Sequence, residues 1–342
     1  MEQRLLGRSG CAVSTYALGT MTFGAESDER TAHAQLDRFV EAGGTLVDLA
    51  DVYTDGRAEQ IVGGWLADRP ADVRDRVVLA TKGRFRTGTG PNDVGLSRRH
   101  LTRALDASLR RLGVDAVDLY QVHAFDPLTP LEETLAFLDD AVRSGRVRYA
   151  GLSNYTGWQV QRAVDVADQR FPRARPVSLQ PQYNLLVREV EWEIVPASIE
   201  NGLGLLPWSP LGGGWLTGKY QRDTRPSGST RLGEDPDRGV EAYDRRSARE
   251  RTWAVVDAVA RTAAQRGVTM AQVALAWLHD QPGVTSVILG ARTLQQLEDN
   301  LAAVGLHLTA EETAALDAAS DPEPADYPYG PLGEQARSRD LG

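Results

Sequence analysis

Residues 46–66 read LVDLADVYTDGRAEQIVGGWL. The stretch opens as an apolar run without polar alternation, the pattern of a strand covered on both faces. One acid, Asp48, interrupts it, and Tyr53 follows five residues later in the loop beyond the strand's end. An ionised carboxylate is costly in a strand interior unless something pairs with it.

Runs of the same kind recur outward from here. They are TYALGT at 15–20, RVVLATK at 76–82, VDLYQVH at 117–123, VRYAGLSN at 147–154, PVSLQPQYN at 176–184, LGLLPWSP at 203–210 and VTSVILGA at 284–291. Helical periodicity lies between most of them. It covers 28–42 (stopped by Gly43-Gly44), 97–112 (capped by Ser97), 131–144 (closed by Gly145), 159–169, much of 189–201, 248–266, 270–280 and 294–303. Eight covered strands, most followed by a helix, predict a single α/β domain over 1–342, a (β/α)8 TIM barrel. Residues 3–13 add an N-terminal β-hairpin around Gly7 and Gly10. A doubly wound sheet is the rival, but no GxGxxG follows the first strand. The glycine-rich GLGLLPWSPLGGGWLTGK at 202–219 comes late and is no Walker motif. The polar insertion 222–243 is long for a barrel connection and reads as a lid or a disordered loop, and the tail 321–342 reads as irregular.

The chain has 342 residues, 42% of them hydrophobic, and a formal net charge of −9. That balance argues against nucleic-acid and membrane-surface partners, both anionic. A single cysteine, Cys11, excludes an intrachain disulfide and a cysteine-built zinc cluster. No secretory h-region and no apolar run of about 18 residues is visible, so a cytoplasmic protein is expected.

Barrel chemistry gathers at the C-terminal ends of strands. Those ends carry Thr20, Asp48, Lys82, His123, Ser153-Asn154, Gln180, Trp208 and Gly290. Asp48 and Lys82 end neighbouring strands, about 4.8 Å apart, and can pair. A lysine beside Tyr53 favours the phenolate, and a tyrosine so tuned can protonate an oxygen that is gaining charge. His123, one strand further, can hydrogen-bond the same oxygen. Each residue alone has an ordinary explanation as a cap, a rim aromatic or a solvated strand end. Asp48 with His123 also suggests a metal, but a third ligand is lacking. GRFRTGTGP at 83–91 resembles a basic phosphate loop but reads rather as a mobile or lid-forming loop, and Arg143, Arg146 and Arg148 as a solvated basic cluster.

Seven motifs then resemble the aldo-keto reductase family, in order and over roughly residues 5–306. Besides the opening stretch they are VLATKGRF, VDLYQVHAFDP, GRVRYAGLSNYTGWQV, LQPQYNLLVREVE, LLPWSPLGGGWLTGKY and ILGARTLQQLEDNLAAV. Tryptophan at 208, where many relatives have tyrosine, is similar to the branch of potassium-channel beta subunits. The resemblance implies a catalytic tetrad of Asp48, Tyr53, Lys82 and His123. It implies NADPH (NADP+) as cofactor, with its carboxamide on Ser153, Asn154 and Gln180 and its nicotinamide on Trp208. The pyrophosphate falls on Ser209, Pro210, Leu211, Gly213 and Lys219, with Arg231 folding over from the insertion. Thr20, Met21, Asp48 and Gly290 complete the floor. Arg292 forks onto a 2′-phosphate, and Gln296, Asp299 and Asn300 match adenosine-end positions, although relatives carry arginine where Gln296 stands. No metal is implied.

Phe23, Tyr53, Phe85, His123 and Phe125 are the expected substrate contacts, with Trp158 a further apolar wall. The expected reaction is reduction of an aldehyde or ketone. A regulatory subunit with little turnover, and a dehydrogenase run in the oxidative direction on a sugar or alcohol, are the alternatives. Relatives occur as monomers and as larger rings, so an oligomer is compatible with the sequence.

Overall fold

The computed structural model describes residues 1–228, 230–237 and 239–338. Strands β1 (Gln3–Leu5) and β2 (Ala12–Ser14) pair antiparallel as the expected hairpin. The remaining strands are β3 (Tyr16–Gly19), β4 (Leu46–Asp48), β5 (Val78–Gly83), β6 (Val117–Val122), β7 (Val147–Ser153), β8 (Ser178–Gln180), β9 (Gly204–Leu205) and β10 (Val287–Leu289). They form one eight-stranded sheet in the order β10-β3-β4-β5-β6-β7-β8-β9, parallel throughout. Helices alternate with the strands, and the sheet curls in the manner of a TIM barrel. Main-chain hydrogen bonds link each outer strand to a segment flanking the other: Leu205 N of β9 donates to Gly283 O, before β10, at 2.9 Å, and Ile288 N of β10 donates to Pro207 O, after β9, at 3.0 Å.

Side chains alternate between two faces, although the sequence runs do not show it. Leu18, Val47, Leu79, Tyr120, Val122, Leu152, Leu179 and Leu289 pack outward against helices. Ala17, Leu46, Ala80, Leu119, Leu206 and Ile288 point inward and meet Leu6 and Val13 of the hairpin region, which closes one end. Fully burying each of those two side chains is worth about 1.5–3 kcal/mol. Asp48 lies beside Ala80 in register, and Ser153 beside Gln180. Counting by twos from the inward residues therefore puts Asp48, Lys82, Gln121, Ser153 and Gln180 on the inner face.

Local chemistry explains most helix ends. Asp28 and Ser97 cap Glu29–Glu41 and Arg98–Leu112 by accepting Thr31 N at 2.8 Å and His100 N at 3.2 Å. Thr269 and Gln272 form a capping box on Met270–His279. The region 189–201 divides into a 3-10 turn, Glu189–Glu191, and a helix, Ile194–Glu200. Helix Arg57–Ala67 follows the Tyr53 turn, and Ala310–Ser320 lies beyond the last helix the sequence marks. Pro331–Arg337 is helical within the stretch expected to be irregular.

The insertion is tied down. Its Arg231–Glu234 turn buries Leu232, Glu241 is buried, and Tyr243 stacks on Trp215 at 5.4 Å. Trp215 Nε1 donates to Glu241 O at 3.0 Å, and Tyr220 hydroxyl donates to Gly213 O at 3.1 Å. No described helix is long and apolar enough to cross a membrane.

Candidate functional site

Strand ends and one turn build the site. Lys82 is fully buried, and its ammonium donates to Asp48 Oδ2 at 2.8 Å, Leu49 O at 2.5 Å and Tyr53 hydroxyl at 3.3 Å. Asp48 accepts from Gln180 Nε2 at 2.8 Å through its other oxygen, and its carbonyl takes the Thr20 hydroxyl at 3.0 Å. Tyr53 starts a 3-10 turn in which Thr54 and Asp55 take positive φ, so the ring folds back over the strand ends. It meets His123 edge-on at 6.0 Å. The four tetrad residues are thus gathered in one place.

Electrostatics refine the expected tuning. Burial raises the Tyr53 phenol above its ordinary value. Lys82 opposes that rise, while Asp48 and Asp51 reinforce it. The expected lowering by lysine is present as a contribution and is outweighed by desolvation. Burial works to lower the Lys82 ammonium, but Asp48 and Tyr53 lift it above the usual lysine value, so it stays charged. Burial, with Lys82 and Arg84, depresses His123 to about 2, so its imidazole is neutral near pH 7. Its Nδ1 is buried without a partner.

The expected cofactor residues fall into two groups. Ser153, Asn154, Gln180 and Trp208 interlock near the tetrad. Ser153 Oγ donates to Gln180 O at 3.0 Å, Asn154 Nδ2 to His123 O at 2.9 Å, and Trp208 Nε1 to Asn154 Oδ1 at 3.0 Å. Asn154 and Ser209 hold positive φ, and Asn184 Nδ2 donates to Ser209 O at 2.8 Å, fixing the turn after Trp208. Pro210 is buried, Leu211 is half-buried, and Met21 is exposed.

At the other end, the Lys219 side chain crosses Gly214, where an added Cβ would lie 3.1 Å from Nζ. Burial and Arg292 lower the Lys219 ammonium from its ordinary value. Arg231 lies against Gly213. Arg292 pairs with Glu234 of the insertion at 2.6 Å, and its main-chain N donates to Gln296 Oε1 at 2.8 Å. Asn300 Nδ2 donates to Gly290 O at 3.3 Å, and Asp299 is exposed. This donor set suits a long ligand with an amide at one end and phosphates at the other. Polar groups and an indole stand at the first, and a concentration of cations stands at the second.

Substrate expectations divide. Phe85 is half-buried and packs edge-on to His123 at 4.6 Å. Phe125 is half-buried between Tyr155 and Trp158. Phe23 is fully buried among the residues of the outer core. The loop 83–91 is shaped by Arg86, whose Nη1 donates to Gly90 O at 2.9 Å, and by Asp93, which accepts Gly90 N. Arg143, Arg146 and Arg148 pair with Asp140, Asp106 and Asp118.

Sequence reasoning passes over Asp51 and meets Arg84 only as part of the loop 83–91. Asp51 donates its main-chain N–H to Lys82 O at 3.0 Å and buries both carboxylate oxygens without a side-chain partner. Burial, then Glu59, pushes its carboxyl up to about 7. A second acid in one short run was the available signal. Among the described residues, His279, Asp280 and His307 could together hold a cation. Arg4 Nη2 lies 3.2 Å from His279 Nε2, which makes Nε2 the acceptor and leaves Nδ1–H to donate to Asp280 at 2.7 Å. The group is complete as a hydrogen-bond chain.

A buried aspartate–lysine pair under a tyrosine, at the mouth of a curled parallel sheet, defines the class, and comparison with known proteins places it. The aldo/keto reductase family profile matches residues 16–321, and the chain belongs to that family. It is 38% identical over 328 residues to a probable voltage-gated potassium channel subunit beta of Oryza sativa subsp. japonica, covering 95% of this chain and 98% of that one. It is 34% identical to versiconal hemiacetal acetate reductase of Aspergillus parasiticus, covering 93% and 97%. It is 34% identical to L-glyceraldehyde 3-phosphate reductase of Escherichia coli O157:H7, covering 93% and 92%. Membership supports an oxidoreductase activity in the broad sense.

Proposed function

We propose that the protein is an NADPH-dependent carbonyl reductase on a closed (β/α)8 barrel. The observation that carries the chemistry is the Lys82 ammonium, bonded to Asp48 at 2.8 Å and to the Tyr53 hydroxyl at 3.3 Å. The hydrogen bonds between β9 and the segment leading into β10 support closure.

NADPH, when bound, supplies the hydride that reduces the carbonyl carbon. Tyr53 gives its phenolic proton to the carbonyl oxygen. A phenol that burial keeps protonated is the form a general acid needs. Lys82 stabilises the phenolate left behind, and Asp48 keeps Lys82 charged and in place. Neutral His123 orients the carbonyl by a hydrogen bond. Ser153, Asn154, Gln180 and Trp208 would hold the nicotinamide end. Lys219 and Arg231 would meet the pyrophosphate, and Arg292 the 2′-phosphate. Phe85 and Phe125 flank the carbonyl site. The partner is a small carbonyl compound, and the net charge of −9 speaks against a polyanion.

The test is Tyr53→Phe with NADPH and 4-nitrobenzaldehyde. Turnover should fall about 10²–10⁴-fold while NADPH binding, read by fluorescence, persists. Full turnover in that variant sinks the assignment. A second reading follows from the rice relative's name: a cofactor-binding regulatory subunit with little turnover. Tight NADPH binding with no turnover of any carbonyl in a broad panel favours it.

A further inference from the structure

We propose that Arg84 forms an oxyanion subsite beside the active site, so that the preferred substrates are aldehydes or ketones bearing a carboxylate or phosphate. This rests on the carbonyl-reductase reading and names its substrate class.

Arg84 follows Lys82 by two residues, just past the end of β5. Its guanidinium lies 5.1 Å from the centre of the Phe85 ring, and that ring meets His123 at 4.6 Å. The charge thus sits one ring away from the histidine that faces the carbonyl. On the other side Nη2 reaches Phe125 O at 3.4 Å, a long hydrogen bond and the single one the Arg84 side chain makes among the described residues. Nε is buried with no acceptor. No carboxylate among the described residues lies within ion-pair distance of it. Asp126 feels its charge, but that carboxylate is engaged by Leu96 N at 2.8 Å, Leu128 N at 3.0 Å and the Thr129 hydroxyl at 2.6 Å.

A half-buried guanidinium with open donors is an unfinished arrangement. It cannot lose its charge, and its planar fork matches a carboxylate or phosphate. A substrate oxyanion would bond the Nη donors and gain a charge-assisted bond where water is partly excluded. Phe85 and Phe125 would wall the organic part between that anion and the carbonyl. The bland alternative is that Arg84 only packs on Phe85 and steadies the Phe125 loop.

The experiment measures kcat/KM with NADPH for two matched pairs: 4-carboxybenzaldehyde against 4-nitrobenzaldehyde, and glyceraldehyde 3-phosphate against glyceraldehyde. The parent should favour the charged member of at least one pair, and which pair separates carboxylate from phosphate. Arg84→Met should cut that charged-to-neutral ratio about 10- to 100-fold, chiefly through KM, with Arg84→Lys restoring part of it. A purely packing role moves both members together and leaves the ratio unchanged, which overturns the proposal, as does a parent without preference for charge. If none of the four is reduced, the carbonyl-reductase reading fails separately. Benzoate against benzamide, read by quenching of bound-NADPH fluorescence, then decides for Arg84: benzoate preference lost in Arg84→Met supports it, and equal binding in parent and variant overturns it.

Discussion

Asp51 shows how much one side chain adds to a site it does not touch through hydrogen bonds. Its carboxyl is raised to about 7 from an ordinary value of 3.8, the reverse of the usual paired aspartate. The folded state therefore holds a proton that the unfolded chain releases. Below about pH 4 the group is neutral in both states and has no effect on stability; between 4 and 7 the folded state loses ground, and above 7 the whole penalty stands. Asp51→Asn removes that pH dependence. In urea unfolding, the variant's stability relative to the parent should rise by about 2–3 kcal/mol between pH 5 and pH 8. An equal difference at both pH values would mean that Asp51 ionises normally. At this scale the clustering of the four residues was legible because Asp48, Lys82 and His123 end their strands and Tyr53 follows one. The burial of Asp51 and Phe23 was not, because sequence order does not show how deeply the segments after a strand turn back into the fold.

Among the elements, the insertion shows contacts that its sequence does not announce. Its charge and proline content suggest a lid or disorder, yet Leu232, Glu241 and Tyr243 anchor it on Trp215 and Tyr220. Three anchors spread through a polar segment give no periodicity to detect. Helix Arg57–Ala67 is similarly quiet, since Gly63 and Gly64 weaken a helical pattern. Gly63 is needed there because an added Cβ would sit 2.3 Å from Arg111 O of helix Arg98–Leu112. The anchored insertion also delivers Glu234 to Arg292, where the carboxylate stands as a competitor for any phosphate. Glu234→Gln should tighten NADPH relative to NADH about three- to fivefold, the weight of a half-exposed ion pair, and Arg292→Leu should shift the ratio the other way. Fluorescence titration with both nucleotides checks this, and an Arg292→Leu ratio equal to the parent's would remove Arg292 from cofactor choice.

At the level of the molecule, the unbroken apolar runs announced a covered parallel sheet, and the order of strands followed the order of the chain. Which residues face inward was hidden, because both faces are apolar; only register separates Leu46 and Ala80 from Val47 and Leu79. The hairpin region proves to be the stopper of the inner core. Leu6→Ala should lower unfolding stability by about 2–4 kcal/mol with NADPH binding at 25 °C intact, as calorimetry and fluorescence can show. A loss of under 0.5 kcal/mol would mean the region merely rests on the sheet. One last contact reaches across the whole interior. Asp48 on β4 holds Lys82 with one oxygen and, with the other, Gln180 on β8. The residue expected to read the nicotinamide amide and the residue proposed to tune the proton donor therefore pull on opposite ends of a single carboxylate. On the proposed reading, a shift at either end of that carboxylate would be felt at the other.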